Sequence, residues 1–218
     1  MTGAGGRFVT FEGGEGAGKS TQLRRLAARL AAHGLAVVET REPGGSPGAE
    51  QIRELLVHGT AERWDRTAEA LLHSAARRDH LVRTIEPGLA AGCWVLCDRF
   101  ADSTTAYQGF GHGLAPEKLQ ALYDIAVGRL KPDLTLILDL PVEQGLERAA
   151  RRRGGGARYE SLDRDFHERV RTGFHAIAAA EPERCLLLDA TGTLERVEQA
   201  VWQSVVERLQ PSLAEAWS

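Results

Sequence analysis

The sequence contains no asparagine, and lysine occurs only as Lys19, Lys118 and Lys131. The first absence excludes N-K-x-D, the tetrapeptide with which GTPases read guanine. The second leaves arginine as the dominant cation. Arginine is the better fork for phosphates, and a skewed genome base composition produces the same bias. Cysteine is scarce: Cys93, Cys97 and Cys185 form an odd set, two of them in or beside an apolar run, with no zinc-like spacing. Neither a disulfide framework nor a zinc site is expected from them. No apolar run reaches the roughly 18 residues that a membrane-spanning helix needs. The N-terminal "MTGAGGRFVTF" lacks a basic segment followed by a long apolar stretch, so no secretory signal is read there. A net charge of −3 offers no bulk positive field to nucleic acid or an anionic membrane. The expectation is a cytoplasmic protein with neither of those partners.

What is present is 43% hydrophobic over 218 residues, enough to bury one sizeable core in one domain, with room for a mobile insert. Short apolar runs at 7–12, 35–40, 93–98, 134–140 and 184–190 read as strands. Between them lie helical patterns. The first, from 19 to 34, carries Leu23, Leu26, Ala27 and Leu30 on one face and stops at Gly34. Others are predicted at about 49–57, 65–91, 115–130, 142–152, 161–180 and 193–209. "REPGGSPG" (41–48) is rich in turn residues. Five apolar strands alternating with helices predict an α/β fold: a five-stranded parallel sheet with helices on both faces.

One stretch concentrates chemistry. "FEGGEGAGKST" (11–21) places Gly13, Gly18, Lys19 and Ser20 in the pattern G-x-x-x-x-G-K-[ST], after a predicted strand and at the start of a predicted helix. That context is what the phosphate-binding loop requires. Glycines let successive backbone N–H groups turn inward around an anion, and the helix N-terminus adds a positive dipole. Lys19 is placed to reach the β- and γ-phosphates, and Ser20 to ligate Mg²⁺. Gly13, Gly14, Glu15, Gly16, Ala17, Gly18, Lys19 and Ser20 are therefore the candidate ATP-binding residues.

With this loop, "TREPGG" (40–45), "DRFADSTTAYQG" (98–109) and "LDL" (138–140) stand in an order that resembles bacterial thymidylate kinase, over about residues 7–209. The resemblance implies a single P-loop kinase domain over 1–218, which passes the γ-phosphoryl of ATP, with Mg²⁺, to the 5′-phosphate of dTMP. It also implies a homodimer, for which the helices at 49–57 and 65–91 are candidate surfaces. Other nucleotide or deoxynucleoside kinases are the alternatives within this class. A regulatory P-loop ATPase is the alternative outside it, marked by ATPase activity that no nucleoside monophosphate stimulates.

Two anionic substrates must meet in line, so positioning and charge neutralisation dominate. The resemblance implies that Arg41, Arg53, Arg77 and Arg99 converge on the acceptor, and that Glu42 shapes its site. It gives Asp98 a link to Mg²⁺ beside Ser20. Glu15, inside the phosphate loop, is implied to contact the dTMP sugar. Thr104, Tyr107 and Gln108 complete the acceptor set: Gln108 offers an amide to a pyrimidine edge, and Tyr107 crowds C2′ to select deoxyribose. His73 stands where the family carries a phenylalanine stacked on thymine. It shares a helix face with Arg77, and an unperturbed ring would titrate near pH 6.5. "RRRGGGARYE" (151–160) matches the family's mobile lid, with Gly154 to Gly156 as hinge. Some relatives carry a basic residue in place of Gly16, so the lid arginines Arg151, Arg153 and Arg158 become candidates to neutralise the migrating phosphoryl. Lys19, Glu15, Arg99, Arg153 and Arg158 form the catalytic set on this reading.

Overall fold

The structure, a computed structural model, describes residues 6–151, 157–160 and 162–209. The five strands are β1 (Arg7–Glu12), β2 (Val37–Arg41), β3 (Trp94–Asp98), β4 (Leu134–Asp139) and β5 (Cys185–Asp189). They lie parallel in the order β2-β3-β1-β4-β5. The central strands β1, β3 and β4 are buried on both faces because helices cover both, while the edge strands β2 and β5 are partly exposed. On one face Val9, Phe11, Leu96 and Leu136 pack against Leu23, Leu26 and Leu30 of α1 (Lys19–Ala32) and Val201 and Val205 of α10 (Leu194–Leu209). On the other, Phe8, Val95 and Cys97 meet Leu81, Ile85 and Phe100, while Ile137 meets Phe166 and Phe174 of α9 (Arg164–Ala180). The one polar pair in the middle of the sheet, Thr10 and Thr135, is satisfied by a 2.8 Å hydroxyl–hydroxyl hydrogen bond.

The predicted helix over 65–91 is continuous but not uniform. It comprises α3 (Arg66–His80), a π turn at Leu81–Ile85, and α4 (Glu86–Ala90). Pro87 supplies the reason: it has no amide to donate and its ring crowds the carbonyl four residues back, so the helix widens just ahead of it. A second π segment, Thr105–Gly111, follows the short α5 (Ala101–Thr104). The sequence pattern assigned no element there. Further elements are α2 (Pro47–Val57), α6 (Pro116–Ala126), α7 (Val142–Ala150) and α8 (Ala157–Glu160).

The carboxyl ends of the strands gather polar residues along one edge, where open parallel sheets bind ligands. The register sets Arg41 and Phe11 on either side of Asp98, and Glu12 follows Phe11 directly. Across this edge the phosphate loop runs against α7 with almost no space between the two backbones. A Cβ on Gly16 would lie 2.0 Å from the Gly145 carbonyl oxygen, and one on Gly145 would lie 2.4 Å from the Glu15 oxygen. Gly16 also has φ +67°. The glycine at 16 thus has a steric cause, whatever charge it leaves unsupplied.

Helix propensity alone would make Gly145→Ala stabilising, by about 1 kcal/mol in a helix interior. The contact is with backbone, which cannot swing aside, and overpacking typically costs about 1–3 kcal/mol. The expected outcome is therefore net destabilisation in chemical denaturation together with weaker ATP binding. A more stable variant with normal nucleotide affinity contradicts this account.

Candidate active site

Above the carboxyl edge of β2, β3 and β1 lies a cleft of about 1030 Å³, its open mouth included. One end is the phosphate loop. Gly18, the N-cap of α1, provides no side-chain cap, so the first amides of the helix are left for an anion. Lys19 is buried and donates to the carbonyls of Gly14 at 2.7 Å and Gly13 at 3.1 Å. Burial, then the nearby Arg99 charge, lower its pKa to about 8, with Glu15, Asp98 and Glu12 pulling the other way. Ser20 donates to Asp98 Oδ2 at 2.5 Å. A hydroxyl and a carboxylate oxygen side by side at a phosphate loop suit a hard divalent cation that takes its other ligands from phosphate and water. Gly13 and Gly14 lie on the other side of the loop, over a smaller space shared with His167.

Arg99 is the hub. Among the described residues it is the non-glycine residue with positive φ (71°), in the turn leaving β3, and its amide donates to the Phe11 carbonyl. Its guanidinium donates to Gly13 O, Ser103 Oγ, Glu15 Oε1 and the Tyr107 hydroxyl, each at 3.0 Å. Tyr107 in turn donates to Glu15 Oε1 at 2.8 Å. Burial would push the Glu15 carboxyl up, but the charges of Arg99 and Lys19 outweigh it and hold its pKa at about 2. Glu15 therefore enters the site as a carboxylate. Tyr107, its phenol pushed well up by burial, enters as a neutral donor.

The opposite wall is organised by two other buried acids. Glu42, preceding Pro43 through a cis peptide bond, accepts from Arg77 Nε at 2.7 Å and His80 Nδ1 at 3.0 Å. Arg77 Nη2 also donates to Phe100 O and Thr104 Oγ1. Arg53 is half-buried and held by the Pro43 carbonyl, and Arg41 pairs at the surface with Glu50. Glu69 accepts from Gln108 Nε2 at 2.7 Å and is paired with Arg158. Arg41, Arg53, Arg77 and Arg99, with Glu42, His73, Thr104, Tyr107 and Gln108, line one cleft with the loop.

Two expectations change, those for His73 and Arg158. His73 does face the cleft, but its Nε2 is 2.9 Å from the Tyr159 hydroxyl, and burial lowers its pKa to about 4. A titration near pH 6.5 is not its property. Arg158 is buried and does not line the cleft; it donates to Thr60 O and Leu56 O and pairs with Glu69. Arg151 is exposed, 3.9 Å from Glu147, and Arg153 and Gly154 to Gly156 lie outside the described residues. Sequence reasoning missed Tyr159, Ser103, Glu69 and Glu12. Only Glu12 left a signal: a carboxylate ending a strand that reads as buried has to be paired or protonated.

Glu12 is fully buried and accepts from the Phe100 amide at 2.7 Å and Ser103 Oγ at 2.5 Å. Burial, and then repulsion from Asp102, raise its pKa from 4.5 to about 8. Between those values the folded chain keeps a proton that the unfolded chain has lost, so stability falls as pH rises through that window. Glu12→Gln is a neutral isostere without this proton. Denaturant titrations from pH 5 to 9 are expected to show the parent losing stability relative to Glu12→Gln, with the gap levelling off above about pH 8. A constant difference would mean that Glu12 is ionised throughout.

The family model for thymidylate kinase matches residues 11–201. The thymidylate kinase of Caulobacter vibrioides is 59% identical over 204 residues, covering 94% of this chain and 98% of that protein. That of Bradyrhizobium sp. (strain ORS 278) is 57% identical over 213 residues, with coverage of 97% and 94%. The crystal structure of thymidylate kinase from Ehrlichia chaffeensis matches the fold with a TM-score of 0.75 at 36% identity, over 92% of this chain and 99% of that one. On agreement that runs from the first strand to the last helix, the chain belongs to the thymidylate kinase family.

Proposed function

We propose that this protein transfers the γ-phosphoryl of ATP to dTMP, giving dTDP and ADP. The observation that carries the reading is that one cleft is lined both by a phosphate loop and by a second cluster of arginines, Arg41, Arg53, Arg77 and Arg99. ATP lies with its phosphates on the loop amides and Lys19. The ammonium leaves the Gly13 and Gly14 carbonyls for the β- and γ-oxygens, and the anion restores the charge that burial weakens. An oxygen of the dTMP phosphate attacks the γ-phosphorus. The bond from that phosphorus to the bridging oxygen breaks, and ADP keeps the electron pair. Arg99, locked by four hydrogen bonds, and the cations Arg41 and Arg53 neutralise the acceptor phosphate, so that two anions can approach. Ser20 and Asp98 would hold Mg²⁺, which supplies further charge neutralisation on the phosphates when bound.

Glu15 and Tyr107 face the acceptor sugar on this reading. The Tyr107 ring is packed by Phe166, Phe174 and Tyr159 edges, so it cannot yield space readily. A homodimer is supported by Leu71 and Val82, 51% and 44% exposed on the helix over 65–91. A cytoplasmic location without nucleic-acid partners is supported by the net charge of −3 and by the absence, among described residues, of any helix fit to cross a membrane.

Coupled phosphotransfer with dTMP, dUMP, dCMP, UMP and AMP as rival acceptors tests the assignment; dTMP is expected to give the highest kcat/KM. Lys19→Ala should lower kcat by about 10²-fold or more with stability unchanged within about 1 kcal/mol. Near-normal turnover of that variant rejects the loop's role. Tyr107→Phe should keep the preference for dTMP over its ribose analogue, because the ring excludes the 2′-hydroxyl. Its kcat should fall, because Glu15 and Arg99 lose the shared hydroxyl. Tyr107→Ala should erode the preference itself, read as the ratio of kcat/KM for the two acceptors.

A further inference from the structure

We propose that Glu69 and Arg158 are positioning residues that fix which face of the Gln108 amide meets the nucleobase, and thereby make the site accept a 4-oxo, N3–H pyrimidine and reject a 4-amino one. The inference rests on the acceptor assignment above and deepens it.

The three side chains are buried, Gln108 at 1%, Glu69 at 2% and Arg158 at 4% exposure. Arg158 is anchored by its Nε to the Thr60 carbonyl at 3.0 Å and by Nη1 to the Leu56 carbonyl at 3.3 Å, and Nη2 pairs with Glu69 Oε2. A carboxylate so paired is ionised and can only accept hydrogen bonds. Its other oxygen, Oε1, stands 2.7 Å from Gln108. Gln108 must therefore present its NH₂ to Glu69, because the opposite amide orientation would set two acceptors against each other. The amide oxygen is left over. Among the described residues no donor reaches it, and Gln108 lines the cleft.

Arg77 supplies the complement on the same wall. Its Nε and Nη2 are spent on Glu42, Phe100 O and Thr104 Oγ1, and its Nη1 has no partner among the described residues. Thr104 lies one turn before Gln108 on the same helical segment. The wall thus offers one donor, from Arg77, and one fixed acceptor, from Gln108. Thymine and uracil present the matching pair, an O4 acceptor and an N3–H donor. Cytosine presents an amino donor and an N3 acceptor, and so meets like with like at both places. A buried polar contact that cannot be made is costly, and sites built on such contacts discriminate strongly. Arg158 belongs to α8, whose Tyr159 also reaches the cleft and bonds His73, so the segment after 151–156 contributes to base reading rather than to the phosphoryl.

The test is kcat/KM for dTMP, dUMP and dCMP in the parent and in Glu69→Gln. A glutamine at 69 can donate as well as accept, which frees the Gln108 amide to turn. The dTMP:dCMP ratio is expected to fall at least tenfold, mostly through the KM values, while dTMP:dUMP stays constant because the methyl group is read elsewhere. Glu69→Asp remains an acceptor only and should retain the dTMP:dCMP ratio even where overall activity drops, which a purely structural role does not predict. Should Glu69→Gln fail to fold, as judged by thermal unfolding, Glu69→Leu carries the same expectation, since it leaves the amide unconstrained. An unchanged dTMP:dCMP ratio in either folded variant overturns the proposal. So does a parent enzyme that uses dTMP and dCMP equally, which leaves the kinase assignment standing. A parent enzyme that uses no nucleoside monophosphate refutes that assignment instead.

Discussion

The Glu12 carboxyl joins the two halves of the site. It ends β1 and accepts from Phe100 and Ser103, in the segment that leaves β3. The same segment is tied back by the Arg99 amide on the Phe11 carbonyl and by the Arg99 side chain on the Gly13 carbonyl. Without these links the phosphate loop and the acceptor wall would be two loops on neighbouring strands, free to shift relative to each other. With them, the two are joined by direct hydrogen bonds. The left-handed backbone at Arg99, a conformation that costs about 1–3 kcal/mol, is held in place by that set of bonds. It directs the guanidinium across the phosphate loop.

Charge is arranged around this joint so that the site tolerates two polyanions without being excessively cationic when empty. Lys19 and Arg99 repel each other, and each lies close to Glu15 or Asp98. The carboxylates hold the cations in position at little electrostatic cost until phosphates arrive. Glu15 therefore does not simply oppose ATP: it neutralises part of the Arg99 charge and fixes Tyr107 at the same time.

The sheet and the phosphate loop were legible in the sequence because local signals determine them. Continuous apolar runs become doubly covered strands, and G-x-x-x-x-G-K-S after one of them leaves little choice. The acceptor wall was legible as a set of residues, four arginines with Glu42, His73, Thr104, Tyr107 and Gln108, and not as a set of contacts. Which atoms of Arg77 are spent, or that Gln108 answers to Glu69, depends on contacts between residues 35 and 39 positions apart. No periodicity encodes those contacts. The π segment at Thr105–Gly111 hid for a related reason: its register is set by packing on α9, where a Cβ on Gly173 would lie 2.8 Å from the Phe110 ring. His73 and Arg158 were placed from position in the chain alone, and burial changed what each can do.

Glu42 and Glu69 follow one physical rule on that wall. Each is an acid with almost no exposure, and each accepts from one side chain that also borders the ligand space, Arg77 for Glu42 and Gln108 for Glu69. A buried acceptor consumes donors selectively: Glu42 takes Arg77 Nε and leaves Nη1, and Glu69 takes the Gln108 NH₂ and leaves the carbonyl. What faces the ligand is the remainder. Recognition at this surface is therefore determined one shell further out than the atoms that touch the substrate. Substitutions that preserve Arg77 and Gln108 but alter their acids can change what the cleft selects while leaving its shape intact.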